Sequence, residues 1–182
     1  MSNEVLRAIS DRRSIRSYTP EQITQEQLDA ILKAAVESPS ARNSLPWHFS
    51  VTQNQEIIRD VNERACAALA KQGGFYGSVK DIFYNAPTVI FISTDKRANP
   101  WAMLDCGIAA QSIMLAAHSL GLGTVPLGLP ASAWDGGAND AELNAKLGFP
   151  DGYEFALAIA VGHIGATKEP HPLKDGLYAI IK

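Results

Sequence analysis

Residues 101–120 place the tightest limit on how this chain can fold. Trp101, Met103, Leu104, Cys106, Ile108, Ile113, Met114, Leu115 and Leu120 nearly encircle a helix of that length, and Gly121 and Gly123 end it. A helix that is apolar all round has to be covered on every side, in a core or in an interface. It is no membrane span, because Asp105, Gln111, Ser112 and His118 interrupt it. At 182 residues the chain is one domain of ordinary size, read here as a single unit over 1–182, with enough length to bury a substantial core.

The other elements are read from periodicity and punctuation. Val5, Leu6 and Ile9 give residues 3–11 a short amphipathic helix. Thr24 to Gln27 is a capping box that opens a second helix carrying Leu28, Ile31, Leu32 and Ala35, and Ser38-Pro39 ends it. Residues 47–52 alternate as a half-buried strand, 55–71 repeat at helical spacing up to Gly73-Gly74, and Val89 to Ile92 is the apolar run of a central strand. Residues 124–128 begin as a strand that Pro126 interrupts. Asn139 is a cap for a short helix over 140–147. Over 153–161, Phe155, Leu157, Ile159 and Val161 face one side and Ala156, Ala158 and Ala160 the other. Residues 75–85 are aromatic with no clear period, suiting either a core or the roof of a flat ligand. The class is α+β, a sheet covered by helices.

Several functions are excluded. A pI near 5.8 and net charge of −3 argue against a nucleic-acid binder. Cys66 and Cys106 make no metal-binding spacing and fit a reducing, cytoplasmic setting; no signal sequence opens the chain. His48, His118, His163 and His171 stand apart, so no metal site is expected. There is no nucleophile elbow, no Walker sequence and no dinucleotide fingerprint.

Against this background Arg12-Arg13-Ser14-Ile15-Arg16 is unusual. In an extended segment Arg12, Ser14 and Arg16 share a face, and guanidinium forks suit a phosphate. The competing reading is a basic helix C-terminus, where cations are favoured by the dipole. Ser38 to Ser44 adds hydroxyl and amide groups suited to a polyol or an amide-bearing ring. The interrupted strand 124–128 offers backbone N–H groups, and the tail adds cations. FMN has a phosphate, a polyol and a flat heteroaromatic ring.

With these motifs, and with Leu45-Pro46-Trp47-His48-Phe49, Asn85-Ala86-Pro87, Asp105 to Gln111 and Gly121 to Gly128, the chain resembles the nitroreductase family of FMN-dependent NAD(P)H oxidoreductases over almost its whole length. The resemblance implies a mixed, mainly antiparallel sheet, a homodimer built on the long central helix, and two FMN sites at its interface. Arg12, Arg13, Ser14 and Arg16 correspond to phosphate and ribityl contacts. Pro39, Ser40, Ala41 and Asn43 correspond to contacts from the second subunit. Pro126, Leu127 and Gly128 lie where a backbone N–H approaches flavin N5, and Lys174 and His171 where the tail meets the phosphate. No side chain is named as a catalytic acid or base, and Lys80 is a candidate for positive charge near the flavin. The implied activity takes hydride from NADH or NADPH and reduces nitroaromatic, quinone or similar flat acceptors. Dehalogenation, azoline oxidation, flavin breakdown and a non-catalytic FMN-binding module are the alternatives. Leu45 stands where relatives often have glutamine, Gly128 where some have an acidic residue, and His171 and Lys174 where an Arg or a Lys/Arg pair is common.

Overall fold

The computed structural model describes residues 3–134, 140–169, 172 and 174–181. In chain order these form α1 (Glu4–Asp11), α2 (Gln25–Val36), β1 (Trp47–Thr52), α3 (Gln55–Gln72), the one-turn α4 (Gly74–Gly77), β2 (Thr88–Thr94), α5 (Ala102–Ser119), β3 (Leu122–Leu127), α6 (Ala141–Lys146) and β4 (Glu154–His163). The strands make one sheet in the order β1-β2-β4-β3, with every neighbouring pair antiparallel. One parallel bridge, Ser14 to Thr124, extends the outer edge of β3.

Strand β2 is buried along its whole length and feeds both cores. Val89 and Phe91 join α3, Trp134, Leu143 and Phe149 on one face; Ile90 and Ile92 join α2 and α5 on the other. The alternation expected in β4 breaks at one point. Ile92 pairs with Leu157 but Ser93 pairs with Phe155, so Ala156 is the extra residue of a β-bulge. Phe155 therefore turns to the Ala158 and Ala160 face, where its ring stacks 4.7 Å from Trp134.

Pro126 does not interrupt β3. The Thr124 carbonyl faces outward and accepts from Ile15 N–H at 2.9 Å. Residues 124 and 126 have the same parity, so the N–H that Pro126 lacks belongs to the outer edge rather than to the ladder with β4, the position in which a strand tolerates proline. The capping box of α2 is complete: Gln27 N–H donates to Thr24 Oγ1 at 3.2 Å, and Thr24 N–H to Gln27 Oε1 at 2.9 Å. Helix α6 is capped by Asp140, whose Oδ1 accepts from Leu143 N–H at 2.9 Å; Asn139 lies outside the described residues. A charged clasp ties α3 to α6. Asp60 accepts from Lys146 Nζ at 2.6 Å, and Arg64 pairs with Asp60, Asp140 and Glu142 at 3.2 Å each.

Helices α1 and α5 each expose a group of apolar side chains. In α1 nothing is buried, and Val5, Leu6 and Ile9 are 63%, 48% and 50% exposed. In α5, Cys106, Ala109, Ile113 and Ala117 are in the core, but Met103, Leu104 and Ile108 face outward, with Leu104 63% exposed. One chain thus covers only half of the helix that the sequence requires to be covered all round. Among the described residues no helix is long and apolar enough to cross a membrane, and no group of His, Cys, Asp and Glu could hold a metal ion.

Candidate functional site

The segment 12–18 is fixed by backbone and packing. Arg12 leaves the helical region (φ −57, ψ 133) and ends α1. Arg13 then takes the helix-terminus role: its Nη1 donates to the carbonyls of Ser10 and, at 2.8 Å, Arg12. Ile15 is buried, and the Tyr18 hydroxyl donates to its carbonyl at 2.8 Å and to that of Ala160 at 3.3 Å. Burial pushes the Tyr18 phenol well above its ordinary pKa, so it remains a donor. The segment lies so close to β3 that a Cβ on Gly123 would be 2.9 Å from three side-chain atoms of Ile15. Because the Ser14 to Thr124 bridge is parallel, Arg12 lies toward Leu122 and Arg16 toward Pro126.

At the Arg12 end is a pocket of about 210 Å³ whose lining includes Arg12, Arg13, His118, Thr124, Thr167 and Lys168. Arg12 Nε and Nη1, Arg13 Nε and Thr124 Oγ1 are all buried there without a hydrogen-bond partner. Burial, and then the neighbouring Arg13, hold the Arg12 guanidinium below its ordinary pKa. Arg12 and Arg13 are half-buried, and the inaccessible donors they leave unpaired call for an anion. The forked donors with a hydroxyl beside them fit a tetrahedral oxyanion such as a phosphoryl group. Of the tail cations, Lys168 lines this pocket; Lys174 is exposed and does not, and His171 lies outside the described residues.

At the other end of the segment, the Arg16 guanidinium is 5.9 Å from the centre of the Tyr84 ring, within cation–π range. Tyr84 and Asn85 are left-handed (φ 57 and 55), and the Asp81 carboxylate holds them so by accepting from the N–H groups of Phe83 (2.8 Å), Tyr84 (3.0 Å) and Asn85 (2.7 Å). The aromatic stretch divides: Phe83 is core, packed edge-on against Phe91, while Phe75 is 79% exposed. Lys80 is exposed, lining a separate pocket with Arg59 and Asn62. Leu127 is buried; Pro126 and Gly128 are exposed, and a side chain at Gly128 would meet nothing within 4 Å.

Pro39, Ser40, Ala41 and Asn43 lie elsewhere. Their loop sits at the N-terminal end of α5, where Ala41 N–H donates to Asp105 Oδ1 at 3.1 Å. Arg42, Asn43 and Leu45 all have positive φ (56, 54 and 46), a concentration of backbone strain that occurs at functional sites. Asp105 and His118 are separated along α5 by about 20 Å of helix axis, so one chain does not bring the loop to the arginine pocket. Sequence reading missed Asp105, Asn99 and Asp81 as positioning groups. The available signal was Asp105, the one carboxylate in a mostly apolar helix.

Comparison with known proteins places this geometry in context. The model of the Nitroreductase family matches residues 9–163. A protein of Methanothermobacter thermautotrophicus provisionally named NADH dehydrogenase/NAD(P)H nitroreductase is 42% identical over 131 residues, covering 69% of this chain and 61% of its own length. The FMN reductase [NAD(P)H] of Bacillus subtilis is 31% identical over 183 residues, covering 88% of this chain and 66% of its own. The chain thus spans under two thirds of the length of these two relatives. A crystal structure of a nitroreductase with bound FMN from Desulfitobacterium hafniense superposes with a TM-score of 0.94 at 33% identity, covering 100% of both chains.

Proposed function

The chain belongs to the nitroreductase family, and from that premise we propose that it is an FMN-dependent oxidoreductase that works as a homodimer. In this reading it takes electrons from NADH or NADPH and delivers them to nitroaromatic, quinone or similar flat acceptors. One observation carries the proposal. The strained loop at residues 39–43 and the pocket of unpaired arginine donors lie at opposite ends of α5, and the outer face of that helix is apolar. A two-fold pairing of copies across α5 would bury Leu104 and Ile108 and bring each loop to the other copy's pocket.

FMN, when bound, supplies the redox chemistry, accepting hydride from the nicotinamide and passing electrons to the acceptor. The protein binds and orients. Arg12 and Arg13 would hold the phosphate, with Lys168 from the tail beside them; the same role for Ser14, Lys174 and His171 rests on the family resemblance alone. Arg16, near the face of Tyr84, would offer its guanidinium to the polar edge of the ring system. Pro126, Leu127 and Gly128 flank the ring, and Gly128 leaves room there for an acceptor. Pro39, Ser40, Ala41 and Asn43 of the second copy close the site. No side chain has to serve as acid or base.

The test is reconstitution. Apo-protein loaded with FMN is screened for steady-state turnover with NADH and NADPH against nitroarenes and quinones. Turnover with either donor supports the reading. FMN binding without turnover leaves a non-catalytic flavin module or one of the other chemistries of the fold. Failure to bind FMN refutes it.

A further inference from the structure

We propose that Asp105 and Asn99 are the positioning residues that hold the 40–45 loop in the shape in which it reaches the second copy's cofactor site; this rests on the reading above. Both side chains are buried, at 3% and 6% exposure, and the flavin chemistry does not use them. The Asp105 carboxylate divides its oxygens: Oδ1 accepts Ala41 N–H at 3.1 Å, and Oδ2 accepts Asn99 Nδ2 at 3.0 Å. The same Asn99 nitrogen donates to Ser44 Oγ at 2.7 Å, and Asn99 Oδ1 accepts Trp101 N–H at 2.6 Å. Inside the loop, Ser40 Oγ accepts Leu45 N–H at 2.9 Å. These bonds grip the loop on both sides of left-handed Arg42 and Asn43. Such backbone conformations persist only where their surroundings over-determine them, and among the described residues the hydrogen bonds that tie residues 40–45 to the rest of the chain pass through Asp105 and Asn99.

The carboxylate is needed for a geometric reason. Two donors converge on it from different sides, and an amide has one acceptor oxygen. In Asp105→Asn, whichever way the amide turns, its NH₂ meets either Ala41 N–H or Asn99 Nδ2. Turning Asn99 over to compensate would set its NH₂ against Trp101 N–H and lose that bond, even though the Ser44 hydroxyl can reverse its role and donate. The substitution leaves volume nearly unchanged and frees the loop.

The experiment measures FMN affinity by fluorescence titration of the dimer for wild type, Asp105→Asn, Asn43→Ala and the double variant, with visible circular dichroism of the bound flavin as a report on its surroundings. Asp105→Asn is expected to weaken FMN binding by about tenfold and to alter the dichroism. Adding Asn43→Ala should then cost less than about threefold more, since residues that act through one another are not additive. Unchanged affinity in Asp105→Asn overturns the proposal, as does full additivity, which would mean Asp105 acts somewhere other than the loop. If Asp105→Asn does not fold, Ser44→Ala cuts the grip at its half-buried rim; it should weaken FMN binding non-additively with Asn43→Ala, and additivity there overturns the proposal equally. Should Arg12→Met and Asn43→Ala both bind FMN like wild type, the cofactor reading itself has failed, a result distinct from failure of the Asp105 variant alone.

Discussion

Replacing Arg12 with methionine should separate cofactor binding from folding. Methionine keeps the aliphatic stem and removes every donor. In the protein alone, Arg12 Nε and Nη1 are buried without a partner, and desolvation lowers the guanidinium pKa. Exchanging a half-buried guanidinium whose inaccessible donors have no partner for an apolar group of similar size is neutral or stabilising. The apo variant should therefore unfold at the same denaturant concentration as wild type or a higher one. Toward FMN the effect reverses. A hydrogen bond to a charged group contributes about 1.5–3 kcal/mol. Both Arg12 nitrogens are available, but solvent would replace part of what is lost, so we expect the value of one such bond, a loss of affinity of about 10- to 150-fold. Riboflavin, which has no phosphate, is the internal control and should bind wild type and variant alike. The assay is a pair of titrations by flavin fluorescence, with denaturation of the apo forms. Equal losses for FMN and riboflavin, or unchanged FMN affinity with a destabilised apo-protein, would show that Arg12 is a structural cation and refute the phosphate assignment.

Three further outcomes are expected. Gly123→Ala forces Ile15 away from β3, because the added Cβ would lie 2.9 Å from its side chain; overpacking of this kind costs about 1–3 kcal/mol, and chemical denaturation should show the loss together with weaker FMN binding. Leu104→Asp places a charge on a side chain that is 63% exposed in one chain but buried if α5 pairs with a second copy, so sedimentation should give a monomer that no longer retains FMN, and a persisting dimer contradicts the α5 interface. The third concerns acid. The Lys146 hydrogen bond, and then Arg64, hold the Asp60 carboxyl below its ordinary range, so its stabilising contribution is present above the usual aspartate pKa and lost as pH falls through the depressed value. The difference in urea midpoint between wild type and Asp60→Asn should close on acidification, whereas a gap unchanged with pH would mean the clasp contributes nothing through charge.

Local signals carried well from sequence to structure. The Thr24–Gln27 box forms both of its bonds, and the alternating run at Trp47–Thr52 is strand β1, because a cap or a period is satisfied by neighbours within a few residues. Features set by distant partners were not legible. The bulge at Ala156 depends on pairing with β2. Pro126 is tolerated because β3 lies at an edge, and sequence gives no strand order. The site divides in the same way. The Arg12–Arg16 segment announced an anion through its own composition. That Arg13 caps α1 while Arg12 is left unpaired depends on how α1 ends and how closely Ile15 meets Gly123. Asp105 and Ala41 are 64 residues apart, and nothing in either local sequence pairs them.

The most direct test of an FMN-dependent oxidoreductase is a single turnover. FMN-loaded protein is mixed anaerobically with NADH or NADPH while the visible absorbance of the flavin is followed. The account predicts rapid bleaching with at least one donor and recovery of the yellow colour when a quinone or nitroarene is added. A bound flavin that neither nicotinamide bleaches would contradict it.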